Sequence, residues 1–242
     1  MVEKELPLAL VTGAAHRLGR VFAMSLARQA YAILLHYHHS IEEANATASE
    51  INAIGVPVYL IQSDLTRMAG IQTLFATLDT IPHKLRVLVN SAGTMQRADV
   101  RTLSMPDWDA TMALNLRAPF LLAQQAAERM KDGGLIVNVS DAGAGKAWTG
   151  FPAYTISKAG LDSLTHILAK ALAPKIRVNS IAPGLVLPSE NTTPAEWQKL
   201  VDRLPLRHPA LVDDIVAALE YLLKNESVTG QIITVDGGYS LI

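Results

Sequence analysis

Seven short apolar runs, separated by longer segments of helical periodicity, recur from one end of this chain to the other. The runs read as strands near Leu8–Val11, Ala32–Tyr37, Val58–Gln62, Val87–Val89, Leu135–Val139, Arg177–Ile181 and Gln231–Val235. Most are apolar on both faces, as a strand must be when helices cover its sheet from both sides. The segments between them predict helices near Leu18–Gln29, Ile41–Ile54, Ile71–Leu78, Asp107–Met130, Ala153–Ala173 and Leu211–Leu223. Strands alternating with helices lead to parallel pairing through right-handed crossovers. The expectation is an α/β fold: a doubly wound, parallel, seven-stranded sheet flanked by helices on both faces. A chain of 242 residues suits one such domain over 1–242 better than two small ones.

Composition narrows the function classes. Half of the residues are hydrophobic and 18% are charged, which excludes a disordered chain. The formal net charge of −1 gives no global field to attract nucleic acid or an anionic membrane. There is no cysteine, hence no disulfide framework and no thiolate chemistry. The first apolar run is short and follows Glu3 and Glu5, unlike a secretion signal. No stretch approaches the ~20 apolar residues of a membrane span. The expected protein is soluble and cytoplasmic, with a small-molecule partner and neither a nucleic-acid nor a membrane partner. The one long non-periodic stretch is Pro183–Pro209. Such a loop in a compact domain is usually functional, so residues 184–209 are read as a substrate-covering loop, against the plainer reading of a surface excursion.

Thr12-Gly13-Ala14-Ala15-His16-Arg17-Leu18-Gly19 follows the first strand and opens the first helix. Small residues there let backbone approach a pyrophosphate, and the helix N-terminus supplies N–H groups and positive potential. The plainer alternative is a tight turn that needs Gly13 for its backbone angles. The segment resembles the TGxxxGxG loop of short-chain dehydrogenases/reductases, with Arg17 in place of the middle glycine. In the form TGAAxRLG it is similar to pteridine reductases. The resemblance implies a Rossmann-like dinucleotide site at Gly13, His16, Arg17, Leu18 and Gly19.

The second strand ends in His36-Tyr37-His38-His39-Ser40, with no acid before Glu42. NAD-specific enzymes of this architecture place Asp or Glu here to bind the ribose hydroxyls. A 2′-phosphate would repel an acid and suit Arg17, His39 and Ser40, so NADP(H) is the expected cofactor, with His38 also among the residues expected to bind it. The HYHxS run is again similar to pteridine reductases, which often carry Arg where this chain has His39. No metal is expected, because successive strand residues point to opposite faces and three histidines would not converge. Asp64-Leu65 closes the third strand and resembles the Asp-Leu pair whose acid meets the adenine; a helix cap is the alternative. Asn90-Ser91-Ala92-Gly93 resembles the NNAG segment that lines the cofactor, and Pro183-Gly184-Leu185 the segment at its nicotinamide side.

Tyr154 and Lys158, four residues apart, share one helix face. An ammonium beside a phenol would lower the phenol's pKa and prepare it for proton transfer. In the resembled superfamily Lys158 also binds the nicotinamide ribose, and Asn115 is the helix-kinking residue whose carbonyl holds a relay water. Most members place a serine thirteen residues before the tyrosine; this chain has Asp141 there. Ser140 is one residue off register and is the rival candidate. Pteridine reductases resemble this chain in using Asp, Tyr and Lys. Burial would raise the Asp141 pKa and Lys158 would lower it.

Met95 stands where pteridine reductases usually carry a stacking aromatic, and Trp197 is placed to cover a substrate or simply to pack. Arg17, Met95, Asp141 and Trp197 are the expected substrate contacts. The family likeness implies a homotetramer, with the long helices and the final strand segment Gly230–Gly238 at subunit interfaces. It also implies NADPH-dependent reduction of a pterin or dihydropterin. A general carbonyl or 3-ketoacyl reductase and a non-catalytic NADP-binding sensor or scaffold are the alternatives.

Overall fold

The computed structural model describes residues 6–189 and 192–242. The strands are β1 (Leu8–Val11), β2 (Ala32–Tyr37), β3 (Val58–Gln62), β4 (Leu85–Asn90), β5 (Gly134–Val139), β6 (Ile176–Pro183) and β7 (Ile232–Val235). They form one parallel sheet in the order β3-β2-β1-β4-β5-β6-β7. The helices are α1 (Arg17–Arg28), α2 (Ile41–Ile54), α3 (Met68–Leu78), α4 (Met105–Met112), α5 (Ala118–Arg129), α6 (Pro152–Leu172), α7 (Pro194–Val201) and α8 (Val212–Lys224). This is the expected Rossmann-like α/β fold. The strand order reverses between β1 and β4, and in such sheets ligands bind at that switch point, outside the carboxyl ends of the strands.

The two-residue repeat of a strand sends alternate side chains to two separate cores. Ala9, Val11 and Leu35 pack with Phe22, Leu26, Ile51 and Leu219, under α1, α2 and α8. Leu10, Leu34 and Ile136 pack with Ile71, Phe75, Leu122 and Leu168, under α3, α5 and α6. Every side chain of β1 and β2 is buried, whereas the edge strands β3 and β7 are partly exposed. Phe22 is fully enclosed, and truncating such a side chain to alanine costs about 3–5 kcal/mol.

A buried polar thread crosses this apolar frame. Asn90 Nδ2 donates to Asn138 Oδ1 at 2.8 Å, Asn138 Nδ2 to Thr165 Oγ1 at 2.9 Å, and Thr165 Oγ1 to the Leu161 carbonyl at 2.9 Å. It ties the end of β4 through β5 to the middle of α6.

Two elements differ from the periodicity reading. The helix expected over Asp107–Met130 starts at Met105 and is divided by a wider π turn at Ala113–Arg117. An unbroken α-helical ladder would need residue 119 to donate to the Asn115 carbonyl, and Pro119 has no N–H. Within the stretch read as a non-periodic loop lies α7. Its start is fixed by reciprocal bonds: Thr193 Oγ1 accepts from Glu196 N at 3.3 Å, and Glu196 Oε2 accepts from Thr193 N at 2.9 Å. Residues 190 and 191 of that stretch, and residues 1–5, lie outside the described residues. Among the described residues no helix is long and apolar enough to cross a membrane.

Candidate active site

The turn between β1 and α1 is held against the sheet by its own chemistry. Gly13 has φ +63°, and a Cβ there would lie 2.9 Å from Ala92 Cα. A Cβ on Gly19 would lie 2.0 Å from the Gly13 carbonyl oxygen. Both glycines are therefore required for the loop to close onto the helix start. Thr12 Oγ1 accepts from the N–H groups of Ser91 and Ala92, both at 3.0 Å, which joins this loop to the one after β4. Beneath it, buried His36 Nδ1 accepts from Gly13 N at 3.2 Å, and Nε2 meets the Ser63 carbonyl at 3.0 Å. With both nitrogens so engaged, His36 is the neutral Nε2–H tautomer, and burial drives its pKa down to about 4. His16 stands at the N-cap of α1 without a side-chain capping bond, so the first N–H groups of that helix face the cleft unclaimed by a cap.

A pocket of 210 Å³ lies on the β2–β3 side of this loop and takes in His38, His39, Ser40, Asp64 and Leu65. Because β2 ends at Tyr37, strand alternation stops there, and the His38 and His39 rings lie against each other, centroids 3.6 Å apart. The opposed orientation expected for these two residues is thus corrected. Asp64 Oδ1 accepts from the Thr66 N–H at 2.9 Å and hydroxyl at 2.6 Å, and Arg67 Nε lies 3.2 Å from Oδ2. The Thr66 hydroxyl holds its carboxyl below the usual range. Asp64 thus fixes the turn into α3 while it lines the pocket.

Arg17 does not join this pocket. It adopts φ +50°, a left-handed conformation unusual for a side-chain-bearing residue. Its guanidinium donates to the carbonyls of Leu187 at 3.1 Å and Pro188 at 3.0 Å. It therefore bridges the cleft to the segment after β6, away from His39 and Ser40.

The cleft itself, 420 Å³, opens between the phosphate loop and the start of α6. It shares Gly13, His16, Ala92 and Gly93 with the smaller pocket, so the two form one continuous crevice. Leu18, Gly19, Ser91, Pro183, Gly184 and Leu185 line it as well. Asn90 does not: it sits below, bonded to Asn138, and its Oδ1 has no partner among the described residues.

At the cleft's inner wall Tyr154 Oη donates to Asp141 Oδ2 at 2.6 Å, and Asp141 Oδ1 accepts from Gly143 N at 2.6 Å. Lys158 Nζ donates to the Val139 carbonyl at 2.7 Å and stands 5.8 Å from the Tyr154 ring centre. Asn115 lies behind. Its Oδ1 accepts from Thr94 N at 2.9 Å, and its Nδ2 donates to the Thr94 carbonyl at 2.9 Å and to Ser157 Oγ at 3.0 Å. A Cβ on Gly93 would lie 3.4 Å from Asn115 Oδ1 and 3.7 Å from Lys158 Nζ, so both side chains converge on that glycine.

The electrostatics reverse one expectation. Burial, then the Asp141 charge and hydrogen bond, push the Tyr154 phenol well above its ordinary value; the ammonium does not pull it down. Burial raises the Asp141 carboxyl despite the Tyr154 bond and the nearby lysines, and lowers Lys158 to about 8. In the side-chain competition at Asp141, desolvation wins. Ser140, the rival for the catalytic position, is also buried, and its Oγ has no well-formed partner among the described residues.

The outer end of the cleft is aromatic. Trp197 and half-exposed Met95 line it, as do two residues that periodicity and spacing passed over, Trp148 and Tyr239. The Trp148 ring lies nearly parallel to that of Tyr154, 6.5 Å away at 9°, and edge-on to Tyr239. Lys146 donates to the carbonyls of Tyr239 and Ile242 and sits 3.9 Å over the Tyr239 ring. For Trp148 the available signal was a tryptophan in a glycine-rich loop six residues before the tyrosine.

A glycine cradle that a Cβ would fill, an uncapped helix N-terminus and two adjoining pockets on either side of it fit a dinucleotide. The Enoyl-(Acyl carrier protein) reductase family model matches residues 13–240. The 3-oxoacyl-[acyl-carrier-protein] reductase FabG of Staphylococcus aureus is 30% identical, over 95% of this chain and 96% of that protein. FolM alternative dihydrofolate reductase 1 from Brucella canis, solved in complex with NADP, superposes with a TM-score of 0.93 at 35% identity, covering 98% of this chain and 95% of that one. The Brucella suis FolM structure, also with NADP, gives 0.92 and 36% over 98% and 96%. With that fold and that family match, the chain belongs to the short-chain dehydrogenase/reductase superfamily of oxidoreductases.

Proposed function

We propose that this protein reduces a pterin or dihydropterin-like substrate with NADPH. The observation that carries the reading is the Asp141–Tyr154 contact of 2.6 Å, at the position where most of the superfamily has serine. A carboxyl there can hold or give a proton to a ring nitrogen, as a serine hydroxyl does not. The likeness to dihydrofolate reductases of the FolM type, together with the Trp148, Trp197 and Tyr239 wall, supports a flat heterocycle as the molecule reduced.

The glycine cradle and the first turn of α1 would hold the pyrophosphate, and His38, His39 and Ser40 the 2′-phosphate of NADP(H). Lys158 would bind the nicotinamide ribose. When bound, NADPH supplies the hydride. The protein supplies the proton: Tyr154, kept neutral by burial and by Asp141, gives it to the substrate nitrogen as electron density arrives there. Asp141 and Tyr154 are coupled, so the acid is the pair rather than either group. Asn115 orders the 93–94 turn behind the lysine, and its carbonyl, freed by Pro119, would hold the relay water. The described parts of residues 184–209 would cover the substrate, with Arg17 holding Leu187 and Pro188. The exposed apolar surface of α5 and α6, with Phe120 and Ile167 beside an 870 Å³ hollow, supports self-association, and the family likeness makes a homotetramer the form proposed.

The test is NADPH oxidation with dihydrobiopterin or dihydrofolate beside a ketone and 3-ketoacyl panel. Preferential turnover of the pterins is expected, and Tyr154→Phe should abolish it while NADPH binding survives. Ketone turnover alone would overturn the pterin reading. NADPH binding without turnover of any substrate would leave the sensor or scaffold reading.

A further inference from the structure

Beyond the aromatic end of the cleft, the loops after β4 and β5 continue around a second hollow. On the first loop Met95 lines the cleft and Arg97 the hollow; on the second Trp148 lines the cleft and Thr149 the hollow. Consecutive residues are only ~3.8 Å apart at Cα, so the hollow begins where the rim of the cleft ends. Ala98 N donates to the Gly150 carbonyl at 2.9 Å, which ties the two loops together at that rim. The hollow measures 420 Å³, within the range of small-molecule sites. It shares no lining residue with the pocket of His38, His39 and Ser40. It therefore lies at the substrate's end of the crevice, away from the place of the 2′-phosphate.

Its charges are unequally committed. Asp99 and Arg101 satisfy each other, with Arg101 Nε donating to Oδ1 at 2.9 Å and Nη2 to Oδ2 at 2.5 Å. Arg97 is exposed, and among the described residues no carboxylate or carbonyl engages its guanidinium. A Cβ on Gly150 would lie 3.9 Å from Arg97 Nε and meet nothing else within 4 Å outside its chain neighbours. The guanidinium thus flanks a glycine, with room beside it. Its planar fork of donors matches a carboxylate.

We infer that this hollow is an anion subsite in which Arg97 takes a carboxylate carried on the far side of the substrate's ring. The inference rests on the pterin reading and names a class within it. The favoured substrate is a pterin with a flat spacer and a carboxylate tail, as in dihydrofolate, over one with a short uncharged side chain, as in dihydrobiopterin. Trp148 borders both spaces and is the surface the spacer would cross. Water and salt screen an exposed arginine, so the subsite selects between substrates more than it tightens binding of either.

The test measures binding and needs no turnover. The protein loaded with NADP⁺ is titrated calorimetrically with folate and, separately, with biopterin. Arg97→Ala should raise the folate Kd relative to the biopterin Kd by about fivefold, the upper end for an exposed ion pair. Arg97→Lys, which keeps the charge and loses the fork, should recover part of that ratio. Gly150→Asp sets a competing carboxylate beside Nε and should reproduce the alanine effect with Arg97 intact. Added salt should narrow the folate preference of the parent and leave that of Arg97→Ala unmoved. Binding of biopterin together with a folate ratio indifferent to Arg97 overturns this inference and spares the pterin reading. Binding of neither compound overturns both.

Discussion

The Tyr154 hydroxyl lies 2.6 Å from Oδ2 of Asp141, and after burial it is that carboxyl, not the ammonium of Lys158, that sets the direction of the phenol's shift. Asp141→Asn keeps a hydrogen-bond acceptor and removes the charge. Tyrosinate absorbance, taken as a difference against Tyr154→Phe, should then emerge at lower pH than in the parent. Pterin turnover should fall by roughly 10²-fold, the range for loss of a general-acid component. Stability should move the other way. Burial raises the Asp141 pKa above 3.8, so the native state holds this proton more tightly than the unfolded chain does. The ionised carboxylate therefore subtracts stability as pH rises through its native pKa. The variant should melt above the parent at about pH 8 and lose that advantage at about pH 3, where both states are protonated. A melting difference that is constant with pH would contradict this assignment.

His36 gives the opposite signature. Its pKa falls from 6.5 to about 4 on folding, so the unfolded chain binds the proton more readily. The stability is complete above the unfolded value and is lost as pH falls from 6.5 towards 4, by about 3 kcal/mol in all. His36→Asn should cost about 1–2 kcal/mol at neutral pH through its lost bonds, yet show a shallower acid limb in urea unfolding. Because Gly13 loses its acceptor, the NADPH dissociation constant should also rise. An acid limb as steep as the parent's would place the titration elsewhere.

Arg17→Gly relieves a left-handed side-chain-bearing residue, worth about 1 kcal/mol, and removes the tether to Leu187 and Pro188. These effects should nearly cancel in thermal stability. The substrate KM should rise several-fold while NADPH affinity stays within about twofold. A tenfold loss of NADPH affinity instead would mean that Arg17 serves the cofactor's phosphates.

His39→Arg places a permanent charge and a forked donor in the pocket that also holds His38 and Ser40. The preference for NADPH over NADH should increase by about tenfold, since charge-assisted bonds to a phosphate are the stronger kind. Comparison of kcat/KM with the two cofactors measures it directly.

Much of this architecture was legible in the amino-acid order because buried parallel strands leave unbroken apolar runs. β1, β2 and β3 fall at their expected bounds, and β4 to β7 within two residues. The helix division at Asn115 was written in Pro119, which cannot donate to the carbonyl four residues back, but two apolar helices in line have no break in periodicity to show it. The start of α7 was readable too, in Thr193-Pro194-Ala195-Glu196, a capping pattern masked by the prolines around it. Side-chain competition was not readable. Whether burial or lysine governs Asp141 depends on distances across β5 and α6, and Trp148 meets Tyr239 across a long sequence separation, where Lys146 donates to the Tyr239 and Ile242 carbonyls. Arg17 likewise looked like a phosphate ligand until its backbone angle aimed it at Leu187.

The amide thread from Asn90 through Asn138 to Thr165 has a consequence for how such a protein can diverge. Each member is enclosed, so replacing one strands its neighbours without water or partner, at about 1–3 kcal/mol for each orphaned group. The three positions are thus interchangeable only as a set, like the pins of a single lock. The surrounding loops carry Met95 and Trp148, the short helix α7 carries Trp197, and none of them is under such a joint constraint. Substrate preference can drift there residue by residue, while the spacing between the cofactor-facing edge and the proton donor is inherited unchanged.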